Sequence, residues 1–394
     1  MPRERTVSLP VIAREWGRIG LTGFGGPPAH LTLLRQLCVE RERWIPARAF
    51  EDDIAATNLL PGPASTQLAI LSAWRLRGVP GALAGGICFI APGLVLILAL
   101  AAMFLAGDPP SWVSGAAAGA GAAVAAVALH AGLGLAPASL RRAAPGAPRA
   151  RWLAYVLTGG AAAVCAGPWL VLVLIGAGLT ETAVGRGGAR EPGRAGGGRA
   201  GGRLWLLLAA APVATAAASL TALTWVAFKV GALSYGGGFV IIPLMRADAV
   251  DQHGWLTGGE FLNAVALGQI TPGPVVHTVA VTGYAAAGLA GGLLAAAVAF
   301  GPSFLLIILG ARDLERLRSL PSVQAFFLGA GPAVIGAICG SAVPLALALG
   351  HAWQAAVLGL AGLWLLVLRR GVVSALLLAG ALGALAPLAG LPAG

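Results

Sequence analysis

The sequence predicts an all-α polytopic membrane protein, with two homologous halves in an inverted-topology repeat that contains broken or re-entrant helices. Three observations support this fold class: scarce charge, a repeat at a fixed offset, and arginines that change sides between equivalent loops. Of the 394 residues, 58% are hydrophobic and only 10% are charged, and the mean hydropathy is +0.84. Soluble domains carry roughly 25% charged residues, so this chain has too little charge for a water-facing surface.

The charge that is present lies between the apolar stretches. The net charge is +11, and Lys229 is the single lysine among the 26 basic residues. Arginines that cluster in loops follow the positive-inside pattern of polytopic proteins and do not form a basic groove. The lipid bilayer is therefore an expected partner and nucleic acid is not. The apolar stretches are also too long for the alternating strands of a membrane β-barrel.

A shift of 211 residues aligns the chain with itself without gaps from about residue 18 to residue 69. The aligned pairs include Phe24-Gly25-Gly26 with Tyr235-Gly236-Gly237, Trp44 with Trp255, and Pro61-Gly62-Pro63 with Pro272-Gly273-Pro274. A fixed offset over this length indicates two homologous halves. The predicted organisation is a first membrane repeat at 1–180, a flexible linker rich in glycine and arginine at 181–203, and a second membrane repeat at 204–394.

Equivalent loops of the two halves differ in arginine content. The loop 35–48 holds four arginines, whereas its counterpart 246–259 holds only Arg246. Conversely, residues 106–112 hold none, whereas their counterpart contains Arg312, Arg316 and Arg318. Because arginine-rich loops remain on the cytoplasmic side, the two halves are expected to have opposite orientations.

The same bias predicts helical hairpins that enter and leave the membrane on one side. Arginine-rich loops flank the apolar segment 54–73, which breaks at Pro61-Gly62-Pro63. The segment 7–39 breaks at Gly25-Gly26 and is also expected to dip and return. Full spans follow near 82–106 and 112–135. The alternative is a set of ordinary kinked spans, with about 10 to 13 crossings at bilayer length.

Broken helices at membrane depth are common substrate sites in transporters, because half-helix N-termini present free N–H groups and positive dipole ends. Four such breaks in two matched pairs favour an anion site. The alternative is simple helix kinking. The predicted contacts at the breaks are Gly25, Gly26, Pro61, Gly62, Pro63, Gly236, Gly237, Pro272, Gly273 and Pro274.

Polar and charged side chains near the breaks extend this predicted site. Asn58, Gln67, Gln269 and Thr271 could bind an oxyanion through hydrogen bonds, or could hold helices together. Arg18 and its repeat partner Lys229 are predicted to neutralise the anion, the alternative being side chains that extend to the interface. The residues predicted to gate or couple transport are Arg35, Glu40, Arg246, Asp251, His30 and His277. The sequence contains no spacing typical of a metal or nucleotide site, so no cofactor is expected.

The motifs Phe24-Gly25-Gly26-Pro27, Trp44 and Leu60-Pro61-Gly62-Pro63, repeated in the second half, resemble the chromate ion transporter (CHR) family in its long-chain, two-domain type. The resemblance implies a bacterial inner-membrane protein that exports chromate and confers resistance, driven by the membrane potential or the proton gradient. A second copy of the chain, as a homodimer, is a candidate partner. Because chromate resembles sulfate in size and charge, the motifs do not separate these two oxyanions.

The sequence is therefore interpreted as a secondary transporter of a tetrahedral divalent oxyanion, with chromate efflux by alternating access as the expected activity. Sulfate-type uptake is the alternative within transport. An integral-membrane enzyme or a scaffold is the alternative from another class. The sequence shows no polar catalytic constellation in a loop, and it has little chain outside the apolar segments, which disfavours both.

Overall fold

The computed structural model describes residues 7–58, 60–105, 110–143, 147–188, 218–234, 241–311 and 320–392, and every regular element within them is a helix. The first half contains α1 (Leu9–Thr22), α2 (Pro27–Arg35) with a π-helix at Gln36–Arg41, α3 (Ala47–Thr57), α4 (Ala64–Phe104), α5 (Ser111–Ala122), α6 (Val124–Arg142), α7 (Ala147–Cys165) and α8 (Leu170–Gly188). The second half contains α9 (Ala218–Leu233), α10 (Ile241–Arg246) with a π-helix at Ala247–Gln252, α11 (Gly258–Ile270), α12 (Thr278–Gly310), α13 (Pro321–Leu347), α14 (Ala352–Gly362) with a π-helix at Leu363–Val367, and α15 (Val372–Leu385).

The repeat is confirmed in the backbone itself. The π-helices Gln36–Arg41 and Ala247–Gln252 begin and end 211 positions apart. Both α4 and α12 contain a non-helical pair, at Arg77-Gly78 and Ala287-Gly288 respectively. The two glycines adopt nearly the same conformation, with φ +60° and +62°. Positive φ favours glycine, so these two turns depend on it.

The inverted orientation is confirmed by the way in which α4 and α12 pack. A Cβ atom on Gly86 would lie 2.4 Å from the Phe304 ring, and one on Gly292 would lie 2.5 Å from a Leu98 methyl group. Beyond the turns at Gly78 and Gly288, early residues of each second arm thus meet late residues of the other, so these two arms run antiparallel. Because these helices are repeat equivalents, the axis that relates them is perpendicular to both. Such an axis lies in the membrane plane and turns one half upside down relative to the other.

Two ion pairs show that the broken segments of the first half fold back on themselves as helical hairpins. Arg41 and Glu15 are 2.8 Å apart, and Arg75 and Asp53 are 2.6 Å apart. In continuous helices with a rise of about 1.5 Å per residue, each pair would be separated by more than about 30 Å. The helices on either side of each break therefore run antiparallel. A single kinked crossing is therefore excluded for each of these two segments.

After the reversal between α3 and α4, the chain reverses direction again within α4. A Cβ atom on Gly81 would lie 2.3 Å from the carbonyl oxygen of Ala73, so the chain folds back at Arg77-Gly78. The second arm of α4 continues to Phe104 as a full span. Five helical stretches among the described residues are long and apolar enough to cross a membrane: Ala64–Phe104, Ser111–Arg142, Val275–Gly310, Pro321–Leu347 and Val372–Ala389.

The halves pack into one another through small residues. Gly119 of α5 packs against Ala379 and Gly383 of α15, and Gly336 of α13 packs against Val156 of α7. In each case a Cβ atom on the glycine would lie within 2.2 Å of a carbonyl oxygen. Small residues allow this close approach of helix backbones, which replaces the hydrophobic effect as a source of stability in lipid.

The last helix of the first half extends into the segment predicted to be the linker. Helix α8 continues to Gly188, beyond the expected boundary at residue 180. Arg151 of α7 donates two hydrogen bonds of 2.9 Å to the Glu181 carboxylate, and Tyr155 donates a third of 3.0 Å. These bonds hold the last turns of α8 against α7. Residues 189–217, which include most of the predicted linker and the start of the second repeat, lie outside the described residues.

The hairpin topology predicts which positions a membrane-impermeant thiol reagent can reach. In a background without native cysteines, Arg48→Cys and Arg77→Cys should be labelled from the same side, because both exposed residues lie at the base of one hairpin. Gly259→Cys, at the repeat position equivalent to Arg48, should be labelled from the opposite side only. Labelling of Arg48→Cys and Arg77→Cys from opposite sides would contradict the re-entrant hairpin.

Candidate functional site

The tips of the hairpins from the two halves meet. The Gly273 N–H donates a hydrogen bond of 3.1 Å to the Gly23 carbonyl oxygen, which joins the second hairpin of one half to the first hairpin of the other. A Cβ atom on Gly62 would lie 3.4 Å from the Gly231 carbonyl oxygen, and one on Gly273 would lie 3.8 Å from that of Gly20. These two contacts are repeat equivalents, so each Pro-Gly-Pro tip lies against the first helix of the opposite half.

The local sequence gives the first-half tip its shape. Gly62 has φ +117° and Gly273 has φ +101°, a region that L side chains rarely occupy. The chain then turns at Pro63 into α4, where the Gln67 N–H makes the first hydrogen bond of this helix, to the Pro63 carbonyl. The N–H groups of residues 64–66 precede that bond and have no intrahelical acceptor. The positive end of the helix dipole therefore faces the break.

Polar side chains at this tip are buried without partners. The Gln67 Nε2 atom donates to the Pro61 carbonyl oxygen at 2.6 Å, whereas Gln67 Oε1, Thr66 Oγ1 and Ser303 Oγ have no hydrogen-bond partner among the described residues. A Cβ atom on Gly62 would lie 2.5 Å from Gln67 Nε2 and 3.1 Å from Ser303 Oγ. A buried unpaired polar group costs about 1–3 kcal/mol, so this cluster indicates a place where a ligand or water binds.

His30 links this tip to the two other tips described above. Its Nε2 atom lies 3.0 Å from the Gly23 carbonyl oxygen, and its Nδ1 atom lies 3.2 Å from Ser65 Oγ. Because a carbonyl oxygen only accepts, Nε2 carries the proton and Nδ1 accepts from the Ser65 hydroxyl. The Gly23 carbonyl oxygen thus accepts from both His30 and Gly273. Because His30 also accepts from Ser65, three hairpins are linked through His30 and Gly23.

The second-half tip holds different side chains. His277 lies over Gly273, with its Cε1 atom 2.9 Å from where a Cβ atom on that glycine would lie. Gln269 Nε2 is buried without a partner among the described residues, and the Thr271 hydroxyl donates to the Leu267 carbonyl oxygen at 2.9 Å. The predicted positions Pro272 and Pro274 flank this tip, and Gly236 and Gly237 lie outside the described residues.

The two matched cations are paired with acids that the sequence analysis did not select. Lys229 Nζ lies 2.7 Å from an Asp248 carboxylate oxygen, and the two side chains are only 12% and 2% exposed. Arg18 lies 3.1 Å from Glu15 and is 54% exposed. The signal for Glu15 was an acid one helical turn before Arg18, and the signal for Asp248 was an acid within an otherwise apolar segment, on a different helix from Lys229.

The four charged residues predicted to gate or couple transport form pairs away from the tips, whereas His30 and His277 lie at the tips. Arg35 lies 3.5 Å from Glu40 and also contacts Glu51, and Arg246 lies 3.1 Å from Asp251. Glu40 and Asp251 belong to the equivalent π-helices, which often occur at functional positions. A gating role for these pairs stays a prediction.

The predicted contacts of the first half differ in their surroundings. Asn58 is exposed at the end of α3. Gly25 and Gly26 have φ values of +96° and +73°. No atom of another part of the structure lies within 4 Å of the position that a Cβ atom on Gly25 would occupy.

A cavity of about 620 Å³ follows the first hairpin of the first half. Thr22 lies at the end next to the hairpin tip, and Arg41 lies at the other end, next to the base. The lining residues are Arg18, Ile19, Thr22, Leu33, Gln36, Leu37, Glu40 and Arg41. Arg14 and Arg18 lie 3.0 and 3.1 Å from the Glu15 carboxylate and Arg41 lies 2.8 Å from it, so this cluster carries excess positive charge.

Comparison with known proteins identifies the family. A family model described as the chromate transporter matches residues 11–181 and 221–385 of the chain. The chain belongs to the chromate transporter family. Members of this family are transporters, and the two matched stretches correspond to the two halves of the fold. No group of three or more histidine, cysteine or acidic residues that could hold a metal occurs in the described parts of the chain.

Curated relatives share most of the chain. It is 30% identical over 357 residues to a chromate transport protein of Cupriavidus metallidurans, covering 86% of this chain and 83% of the relative. It is 29% identical over 358 residues to a chromate transport protein of Pseudomonas aeruginosa, covering 86% and 82%. It is 27% identical over 353 residues to a probable chromate transport protein of Synechococcus elongatus, covering 86% and 84%. No solved structure matches the chain.

Proposed function

We propose that this protein exports chromate across the cell inner membrane, and that the anion binds where the hairpin tips of the two halves meet. The observation that carries this proposal is the set of buried, unpaired polar side chains at the Pro61-Gly62-Pro63 tip, beside the N-terminus of α4. Relatives that cover most of the chain are named as chromate transport proteins, which supports chromate as the substrate.

Binding at the tips would use neutral donors. The N–H groups of the first turn of α4 and the hydroxyls of Thr66 and Ser303 can donate to oxyanion oxygens, and Gly62 leaves the space that a side chain would fill. Helix N-termini bind anions through such groups. The residues proposed to form the site are Gly25, Gly26, Asn58, Pro61, Gly62, Pro63, Gln67, Gln269, Thr271, Pro272, Gly273 and Pro274.

The inverted repeat supports alternating access. The described hairpin tips of the two halves meet, so an exchange of conformation between inverted halves would open the same site first to one side and then to the other. Asp248 cancels the charge of Lys229, which favours a structural role for this lysine within the second-half hairpin.

The arginines of the cavity are proposed to attract the anion. Arg18→Gln should raise the KM for chromate by about threefold at low ionic strength, because removing a charge from an entrance weakens electrostatic steering. The difference from wild type should largely disappear near 1 M salt, where charges are screened within about 3 Å. A KM shift of equal size at both salt concentrations would contradict this role.

Flux measurements test the proposed function. Everted membrane vesicles that contain the full chain should accumulate chromate when energised, and an uncoupler should stop accumulation. Excess sulfate should compete weakly. If only right-side-out vesicles accumulate chromate and sulfate competes fully, the protein is a sulfate-type uptake system and does not export chromate. Absence of chromate and sulfate flux with folded protein would refute oxyanion transport.

A further inference from the structure

The orientation of the Gln67 amide is fixed by its surroundings. Its Nε2 atom lies 2.6 Å from the Pro61 carbonyl oxygen, and a carbonyl oxygen accepts only from the NH₂ side of an amide. The Oε1 atom therefore points away from Pro61. Gln67 is fully buried, and Oε1 has no donor among the described residues. Since an amide oxygen can only accept, whatever binds beside it must bring a proton.

The rest of this cluster supplies donors. The hydroxyls of Ser303 and Thr66 are buried and unpaired in the described structure, and the N–H groups that open α4 have no intrahelical acceptor. Ser303 belongs to α12, and the first-half residue equivalent to it is Gly93, which also follows a proline in its helix. The hydroxyl is thus present at the first-half tip and has no counterpart at the second-half tip.

The charged and titratable groups around the tip are already engaged, with the exception of His277. Lys229, on the helix that contacts Gly62, is paired with Asp248. Asp53 and Arg75 pair at the far end of the same hairpin. His30 is bonded to Ser65 and Gly23. His277 lies over the other tip, and its two ring nitrogens have no partner among the described residues. The positive charge directed at the site is then that of a helix N-terminus, equivalent to about half an elementary charge.

We propose that the transported species is the singly protonated oxyanion, hydrogen chromate, whose hydroxyl donates to Gln67 Oε1. The other oxygens of the anion accept from Ser303, Thr66 and the first turn of α4. This inference rests on the proposed function. Burial of one charge costs far less than burial of two, since the Born energy grows with the square of the charge.

The protonated form also explains how chromate can be separated from sulfate. Chromate takes up a proton near neutral pH, whereas sulfate remains a dianion well into acid. Gln67 Oε1 can therefore accept a hydrogen bond from the hydroxyl of hydrogen chromate. Sulfate has no proton to donate and presents only oxygen lone pairs to this atom. Two acceptors that face each other without a proton repel, and the dianion is rejected.

The reversal potential of transport measures the net charge that is carried with each anion. Purified full-length protein in liposomes at equal pH on both sides is given a tenfold chromate gradient, and a potassium diffusion potential is varied until net flux stops. A single charge per anion is balanced at about 59 mV, and two charges at about 30 mV. We expect about 59 mV. A value near 30 mV, with flux present, would overturn this inference and leave oxyanion transport intact, whereas absence of flux would refute the proposed function itself.

Variants of the acceptor and of the donor separate the two roles. Gln67→Met should weaken chromate binding by at least about tenfold, since a hydrogen bond to a charged ligand contributes about 1.5–3 kcal/mol, and should reduce the preference for chromate over sulfate. Ser303→Gly, which installs the residue found at the equivalent position 93, should weaken both anions alike and keep the reversal potential. Unchanged chromate-to-sulfate preference in folded Gln67→Met protein would contradict the acceptor role.

Discussion

Replacement of Lys229 by methionine is expected to destabilise the protein by about 3–5 kcal/mol, because it leaves a buried carboxylate without its partner. Asp248 is 2% exposed and lies 2.7 Å from the lysine ammonium. The measurement is the thermal unfolding temperature and the monodisperse yield of the purified protein in detergent.

Two further variants identify the cause. Lys229→Met combined with Asp248→Leu should recover most of the lost stability, because an apolar pair of similar volume removes both buried charges. Arg18→Met, at the repeat-equivalent position, should cost less than about 1 kcal/mol, because Arg18 is half-exposed and Arg14 and Arg41 still surround Glu15. A double variant as unstable as Lys229→Met would show that the lysine acts through something other than its charge.

The Gly62→Ala substitution is expected to reduce chromate transport by more than about tenfold in protein that still folds. The added Cβ atom would lie 2.5 Å from Gln67 Nε2 and 3.1 Å from Ser303 Oγ, in the space proposed for the anion. The left-handed conformation at φ +117° adds a strain of about 1–3 kcal/mol. Initial rates in liposomes, normalised to inserted protein, measure the effect.

Gly78→Ala is the matched control for this substitution. Gly78 also has a positive φ, of +60°, but no atom lies within 4 Å of its Cβ position, and it is located at the turn between the two arms of α4. The control carries a comparable backbone strain without occupying the site. Equal losses of transport in both variants would attribute the effect of Gly62→Ala to strain alone.

The architecture could be predicted from the sequence because its signals are local. Gly-Gly-Pro and Pro-Gly-Pro interrupt apolar segments, and arginines mark where those segments begin and end. These features predict hairpins over 7–39 and 54–73, with ordinary kinked spans as the alternative, and the Glu15–Arg41 and Asp53–Arg75 contacts decide in favour of the hairpins. The repeat then transfers each element to the second half, down to the π-helices.

The composition of the site could not be predicted in the same way, because its chemistry lies where the halves differ. Asp248 aligns with Leu37, and Glu15 aligns with Val226. Ser303 aligns with Gly93 after a one-residue gap. The repeat therefore predicted a role for the matched cations Arg18 and Lys229. In the fold, each of them pairs with an acid that has no equivalent in the other half.

The hydrogen bond between Gly273 and Gly23 also sets an order of events during biosynthesis. It cannot form until the ribosome has translated the chain beyond residue 273, so the early hairpins are synthesised well before their partners exist. Elongation proceeds at about 5–20 residues per second, so the first-half tips remain without their second-half contacts for many seconds. The nascent first half is therefore the stage at which insertion chaperones and quality-control proteases would have access to it.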